Sequence, residues 1–275
     1  MATLIQTARS FLFVPGTRPD RVAKALATAA DAVVIDLEDA VAAPDKQAAR
    51  DAVAGWLAGA GAFERERVVV RINDAKTPWH ADDVAAMARG GVGAVLLPKA
   101  ESAAQIVRLR EALPGVVILA LIESARGVAD VEEIAGAGVA RLVFGTLDFA
   151  LDLALDITAD ASGLAYAAGR IVLASRVAEL PAPVAGVTPQ ITDTDRLLAD
   201  WQAARRLGFG AKLCIHPAQV EPIHRALRPD AQALDWARRV LAAEAERPGA
   251  AQLDGRMIDR PVVLQAQRTL SLARD

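Results

Sequence analysis

Eight short apolar runs, each ending near polar residues and each followed by a longer helix-like stretch, set the strongest limit on how this chain can fold. They are FLFVP (11–15), AVVIDLE (32–38), VVVRIN (68–73), AVLLPK (94–99), VVILALIE (116–123), RLVFGTLD (141–148), PVAGVTP (183–189) and AKLCIHP (211–217). Their apolar residues are nearly continuous rather than alternating, as in parallel strands covered on both faces. Between them lie segments such as DRVAKALATAA (20–30) and DKQAARDAVAGWLA (45–58), whose apolar positions are spaced along one helix face. Eight strand–helix units in 275 residues predict an α/β fold, a (β/α)8 TIM barrel. The rival is a doubly wound open sheet, which usually has a glycine-rich first turn. The first turn here, VPGTRPDR, has one glycine and no dinucleotide fingerprint.

The linker-like stretch AAEAERPGAAQLDG (242–255) follows the eighth unit, and a last helical segment spans about 261–273. The expected organisation is a catalytic barrel over residues 1–228 and a C-terminal helical extension over 229–275, packing on the barrel or on a neighbouring subunit. The apolar fraction of 53% supplies a large core, and a net charge of −3 leaves no electrostatic footprint for nucleic acid or an anionic membrane. Cys214 is the single cysteine, which excludes an internal disulfide and a cysteine-based zinc site. It sits in an apolar run and reads as a packing residue. No apolar stretch is long enough to span a bilayer, and MATLIQTARS lacks the blocks of a signal peptide. The expectation is a soluble cytoplasmic protein.

The unusual polar residues cluster at the carboxyl ends of the predicted strands. They are Arg18 after the first, Asp36, Glu38 and Asp39 at the second, Arg71 and Asn73 at the third, Lys99 at the fourth, Glu123 at the fifth, Asp148 at the sixth, Thr188 and Gln190 at the seventh, and His216 at the eighth. In a barrel these ends converge on the face that carries the active site. Glu123 and Asp148, on neighbouring strands, form a carboxylate pair suited to Mg2+, which keeps open positions for water and substrate oxygens. A first-turn helix acid is the alternative for Glu123. His80, His216 and His224 are too scattered for a zinc site. Arg71 closes a valine-rich strand, where a guanidinium needs an anion. That anion is either Asp36 or Glu38 across the mouth, or a substrate carboxylate, and Lys99 fits either part too. Asp36 and Glu38 share strand parity and both can face the interior, whereas Asp39 starts the following loop.

In order, RSFLFVPGTRPDRVAKAL, DAVVIDLEDAVAAPDKQAAR, VVRIN, LLPKAES, IESARGV, LVFGTLDFALDL, LGFGAKLCIHPAQV and LDGRMIDRP cover most of the chain. This set resembles the citrate lyase beta-subunit-like proteins of the HpcH/HpaI aldolase superfamily, which include CoA-ester lyases. The resemblance implies a (β/α)8 barrel and a Mg2+-dependent (or Mn2+-dependent) carbon–carbon lyase acting on a 3-hydroxyacyl-CoA. It also implies CoA thioester and keto-acid ligands, and a homotrimer or hexamer. By the same resemblance, Glu123 and Asp148 would bind metal, Arg71 the substrate carboxylate, and Arg18 and Lys24 the CoA. Asp259, in the C-terminal appendage of a neighbouring subunit, would reach the site as an acid, with Glu38 as the in-chain alternative. The chain departs from the family's charged residues at Leu147, where many relatives carry an acid, at Ala168, where a basic residue is common, and at Ala185, where many read Asp. Alternative activities are a CoA-independent pyruvate or oxaloacetate aldolase, a malate synthase or thioesterase, a citrate lyase subunit served by a separate acyl carrier protein, and a non-catalytic binding protein.

Overall fold

The computed structural model describes residues 3–158, 160–247 and 252–273. Eight strands run in chain order: β1 (Ser10–Pro15), β2 (Ala32–Asp36), β3 (Val68–Arg71), β4 (Ala94–Leu97), β5 (Val117–Ile122), β6 (Arg141–Phe144), β7 (Val184–Ala185) and β8 (Ala211–Cys214). All pair in parallel with their sequence neighbours, and β1 closes on β8 through Ser10↔Lys212, so the sheet is a closed barrel. The TIM-barrel expectation is met. Except for β1, the strands stop short of the carboxyl ends of the apolar runs. β6 stops at Phe144, and the GTLD stretch turns into the helix Thr146–Asp152. β7 keeps two residues of PVAGVTP and meets β6 at one register pair, Val143↔Val184.

The barrel interior is filled by Phe11, Val34, Val69, Leu96, Leu119, Leu121, Val143, Val184 and Leu213, with Phe13 packed against them. Along a strand every second residue faces the same way. Asp36 follows Val34 on that alternation, Arg71 follows Val69, and Glu123 follows Leu121. The apolar column therefore ends at the carboxyl mouth in charged residues. The register pairs Asp36 directly with Arg71.

Behind β2 and β3 a buried polar network anchors the mouth. Asp83, in the helix His80–Gly90, accepts from Arg50 Nε at 2.7 Å, from the Asn73 backbone N–H at 2.8 Å and from Asn73 Nδ2 at 2.6 Å. Lys46 Nζ donates to the carbonyls of Leu37 and Glu38, both at 2.7 Å, and to Asn73 Oδ1 at 2.6 Å. The turn after β2 is thus held by a lysine whose donors are all occupied. Cys214 is buried in β8, and burial pushes its thiol up to about 12, which leaves it inert.

The chain divides into two compact units, Met1–Glu221 and Pro222–Asp275. In the second, the helices Ala231–Glu246 and Arg260–Ser271 enclose a small core of Ala237, Val240, Ile258 and Ala266, beside a two-stranded ribbon of β9 (Gln252–Leu253) and β10 (Arg256–Met257). Among the described residues no helix is long and apolar enough to cross a membrane.

Removing one partner of a buried ion pair leaves an uncompensated charge, at about 3–5 kcal/mol. Asp83→Ala is expected to lower the unfolding free energy by up to roughly that amount in urea titration, because it removes the one buried carboxylate paired with Arg50 and the acceptor of the Asn73 backbone N–H.

Candidate active site at the barrel mouth

Asp36 is the last residue of β2 and is fully buried. Its Oδ1 accepts from Arg71 Nε at 2.7 Å and from the Glu38 N–H at 2.9 Å, and its Oδ2 accepts from Arg71 Nη2 at 2.7 Å and from the Ala40 N–H at 2.9 Å. The fork-to-fork pairing fixes the guanidinium plane. The remaining nitrogen, Nη1, lies 2.9 Å from Glu38 Oε2 and 3.2 Å from Asp39 Oδ2. Below the guanidinium lies the Phe13 ring, 5.1 Å from its centre. Burial alone would lower the Arg71 pKa. The hydrogen bond and charge of Asp36, with the charges of Glu38 and Asp39, outweigh it and hold the pKa above its ordinary value.

Glu38 and Glu123 are acids in a setting that disfavours their charge. Burial raises the Glu38 carboxyl to about 7, with Arg71 and Lys99 pulling the other way and Asp39 adding to the rise. Its Oε1 accepts from Lys99 Nζ at 3.2 Å. Its Oε2 is buried and lacks an aligned donor, although Arg71 Nη1 is near enough to attract it as an ion. Burial, and next the negative charge of Glu38, raise Glu123 to about 8; Asp148 adds to the rise, while the Lys99 N–H opposes it.

Two backbone features make room for this crowding. Lys99 sits at φ 44°, in the left-handed region, where a side chain costs about 1–3 kcal/mol. In that conformation its N–H donates to Glu123 Oε1 at 2.9 Å while its ammonium reaches Glu38. Gly145 lies where any Cβ would collide with the Glu123 side chain. The turn from β6 into the following helix therefore passes close only because the residue is glycine.

A cavity of about 420 Å³ opens at this mouth, and Asp36, Asp39, Arg71, Glu123 and Asp148 all line it. The structure thus brings Arg71, Glu123 and Asp148 together. Asp148 comes from the first turn of the helix Thr146–Asp152 rather than from a strand end, which corrects the expected placement. The helix start supplies it because Gly145 ends the strand early. Glu38 stands behind this wall, against Arg71 and Lys99. Arg18 and Lys24 are exposed and do not line the cavity. The Arg18 fork is held by Asp20 at 2.8 Å, and Lys24 occupies the last turn of the seven-residue helix Asp20–Leu26. Asp259, in the C-terminal unit, caps the helix Arg260–Ser271, its Oδ1 accepting from the Val262 N–H at 3.2 Å. Among the described residues no three His, Cys, Asp or Glu side chains are grouped as a metal cage. The supporting residues Lys46 and Asp83 are not apparent in the sequence, where they read as ordinary charges on helix surfaces.

A closed parallel barrel whose carboxyl-end mouth gathers buried acids around one fixed arginine defines the class: a TIM barrel with the polar mouth at which enzymes of that fold carry their sites. The chain belongs to the HpcH/HpaI aldolase/citrate lyase family, whose model matches residues 9–217. It is 36% identical over 278 residues to a (3S)-malyl-CoA thioesterase of Cereibacter sphaeroides, covering 99% of this chain and 97% of that protein. It is 37% identical over 268 residues to a citrate lyase subunit beta-like protein of Mycobacterium tuberculosis, covering 96% of this chain and 94% of the relative. Among solved structures it is similar to the protein CitE from Mycobacterium tuberculosis in complex with magnesium, acetoacetate and coenzyme A. That similarity has a TM-score of 0.88 at 36% identity and covers 98% of this chain and 100% of the other.

Both raised carboxyls bind their proton more tightly folded than unfolded. Their contribution to stability is therefore greatest at acid pH and is lost as pH rises from about 4.5 through 7 and 8. The metal-free protein is expected to lose stability across pH 5–8, at up to about 1.4 kcal/mol per pH unit per group. Glu123→Gln is expected to flatten that slope in urea unfolding run at several pH values. An unchanged slope would show that Glu123 does not titrate in this window.

Proposed function

We propose that this chain is a Mg2+-dependent carbon–carbon lyase that cleaves a 3-hydroxyacyl-CoA of the citryl-, malyl- or citramalyl-CoA type into an acyl-CoA and a 2-keto acid. The observation that carries the reading is the shared cavity in which Glu123 and Asp148 stand with Arg71. The residues fit the metal. Glu123 is an oxygen donor whose carboxyl is raised by burial first and by the charge of Glu38 next, and a cation held there would favour its ionised form. Two protein carboxylates with the other positions left to water and substrate suit Mg2+, and Mn2+ could replace it. When bound, the ion would supply Lewis-acid stabilisation of negative charge on the substrate's oxygens. The magnesium, acetoacetate and coenzyme A held by the similar Mycobacterium tuberculosis protein support the same assignment.

The chain's own residues then have defined tasks. Arg71 offsets the charge of the substrate carboxylate, its position fixed beforehand by Asp36. Because the fork is occupied by Asp36, its contribution to substrate binding is a preorganised charge rather than a second bidentate clamp. Cleavage passes the proton of the 3-hydroxyl to a carboxylate of the mouth, forms the C3 carbonyl, and breaks the C2–C3 bond with its electron pair on C2, leaving an acyl-CoA enolate that then takes up a proton. Asp259 of a neighbouring subunit, in a homotrimer or hexamer, is the proposed donor, with Glu38, its carboxyl raised to about 7 behind the cavity wall, as the in-chain alternative. Arg18 and Lys24 are proposed to hold the CoA phosphates. A second reading, hydrolysis of the thioester at the same mouth, is favoured by the Cereibacter sphaeroides thioesterase relative.

Incubation of the chain with citryl-, malyl-, citramalyl- and methylmalyl-CoA and Mg2+ is expected to release keto acid together with a shorter CoA ester. Free CoA without keto acid would favour the hydrolytic reading, and no turnover of any ester would end both. Glu123→Gln and Asp148→Asn are each expected to lower kcat by about 10²–10³, and Glu123→Gln to abolish the Mg2+-induced rise in Tm. The double variant Arg18→Ala/Lys24→Ala is expected to raise KM for the ester with little change in kcat. Unchanged kinetics would remove these two residues from the CoA site.

A further inference from the structure

A second cavity, of about 680 Å³, lies beside the mouth, between the β6–β8 wall and the helices Ala165–Val177 and Thr194–Leu207. The mouth cavity and this one share Thr146, Leu147 and Val187 as common walls, so they adjoin one another immediately beside Asp148. Several polar groups around the larger cavity are paired: Arg196 donates to Asp200 Oδ1 at 2.8 Å and to the Thr158 carbonyl at 2.8 Å, Thr188 donates to Asp200 Oδ2 at 2.7 Å, and Lys212 Nζ donates to the Gly186 carbonyl at 2.7 Å. Arg206 and Gln190 also line the space, but most of its wall is apolar, from Phe144, Leu147, Ile157, Ala168, Ala185 and Phe209.

We propose that this cavity is a specificity subsite that receives an alkyl branch on the keto-acid half of the substrate. The physiological substrate is then a 3-hydroxyacyl-CoA whose keto-acid product carries a chain longer than that of pyruvate. The inference rests on the lyase reading above. The keto-acid half is the relevant one because the wall shared by the two cavities, Thr146, Leu147 and Val187, stands beside Asp148, where that half's oxygens are assigned. Burying each added CH₂ in such a space is worth about fourfold in affinity.

The test is calorimetric titration of the full chain, with Mg2+ present, by straight-chain 2-oxo acids from pyruvate to 2-oxohexanoate. It is run on the wild type, on Ala168→Phe and on Ala204→Leu, which fills the same cavity from the helix Thr194–Leu207. Circular dichroism confirms that each variant is folded. Wild-type affinity is expected to rise by about fourfold per added CH₂ over the first carbons. At least one folded variant is expected to lose that rise while binding pyruvate as before. A flat series in the wild type, or folded variants that weaken pyruvate and the long acid alike, would overturn the subsite. Turnover of the same panel of citryl-, malyl-, citramalyl- and methylmalyl-CoA, measured in parallel, separates the two readings. Cleavage with a flat series removes the subsite and leaves the lyase, whereas a rising series without cleavage of any ester removes the lyase and leaves an apolar keto-acid pocket.

Discussion

The mouth of this barrel depends on the pairing of Arg71 with Asp36. A guanidinium at the end of a valine strand is costly to bury, and three carboxylates within four residues at the end of β2 repel one another. Each problem is the other's solution. The register that puts Asp36 opposite Arg71 lets both hydrogen bonds form at 2.7 Å, and Glu38 and Asp39 then share the same positive charge. Breaking one partner would leave a buried ion without compensation, so the turn after β2, the end of β3 and the floor of the mouth stand or fall together.

From that pairing the negative charge is handed on across the barrel. Glu38 is only partly neutralised and its field reaches Glu123, which already bears the cost of burial. Lys99 relieves both, at the expense of a left-handed backbone, and Gly145 gives up its side chain to make the space. Strain and close approach are thus gathered where the acids are crowded, at the carboxyl end of the barrel.

Much of this is legible in the sequence. The eight strands can be read because buried parallel strands need continuous apolar runs, and the placement of Asp36, Arg71 and Glu123 at the mouth follows from their being at the ends of those runs. Less legible is where the strands stop. RLVFGTLD reads as one run, yet Gly145 ends the strand and moves Asp148 onto a helix, because a glycine carries no propensity that distinguishes a tight crossing from a loop. The engagement of the Arg71 fork by Asp36 depends on register, which no single strand encodes. The anchoring of the β2 turn by Lys46 and Asp83 joins residues 27 or more positions from some of their partners, and such distances leave no local trace. The roles proposed for Arg18, Lys24 and Asp259 come from resemblance alone, and their local surroundings here are an ion pair with Asp20, a helix end and a helix cap.

β7 contributes two residues to the wall and meets β6 at a single register pair. A staved wall with one short stave has a seam. Amide exchange along β6–β8 should proceed by smaller, cheaper openings than along β1–β3, where the pairings are several residues deep. The side of the barrel that borders the larger cavity is thereby the side that can yield, so the molecule's compliance and its spare volume coincide.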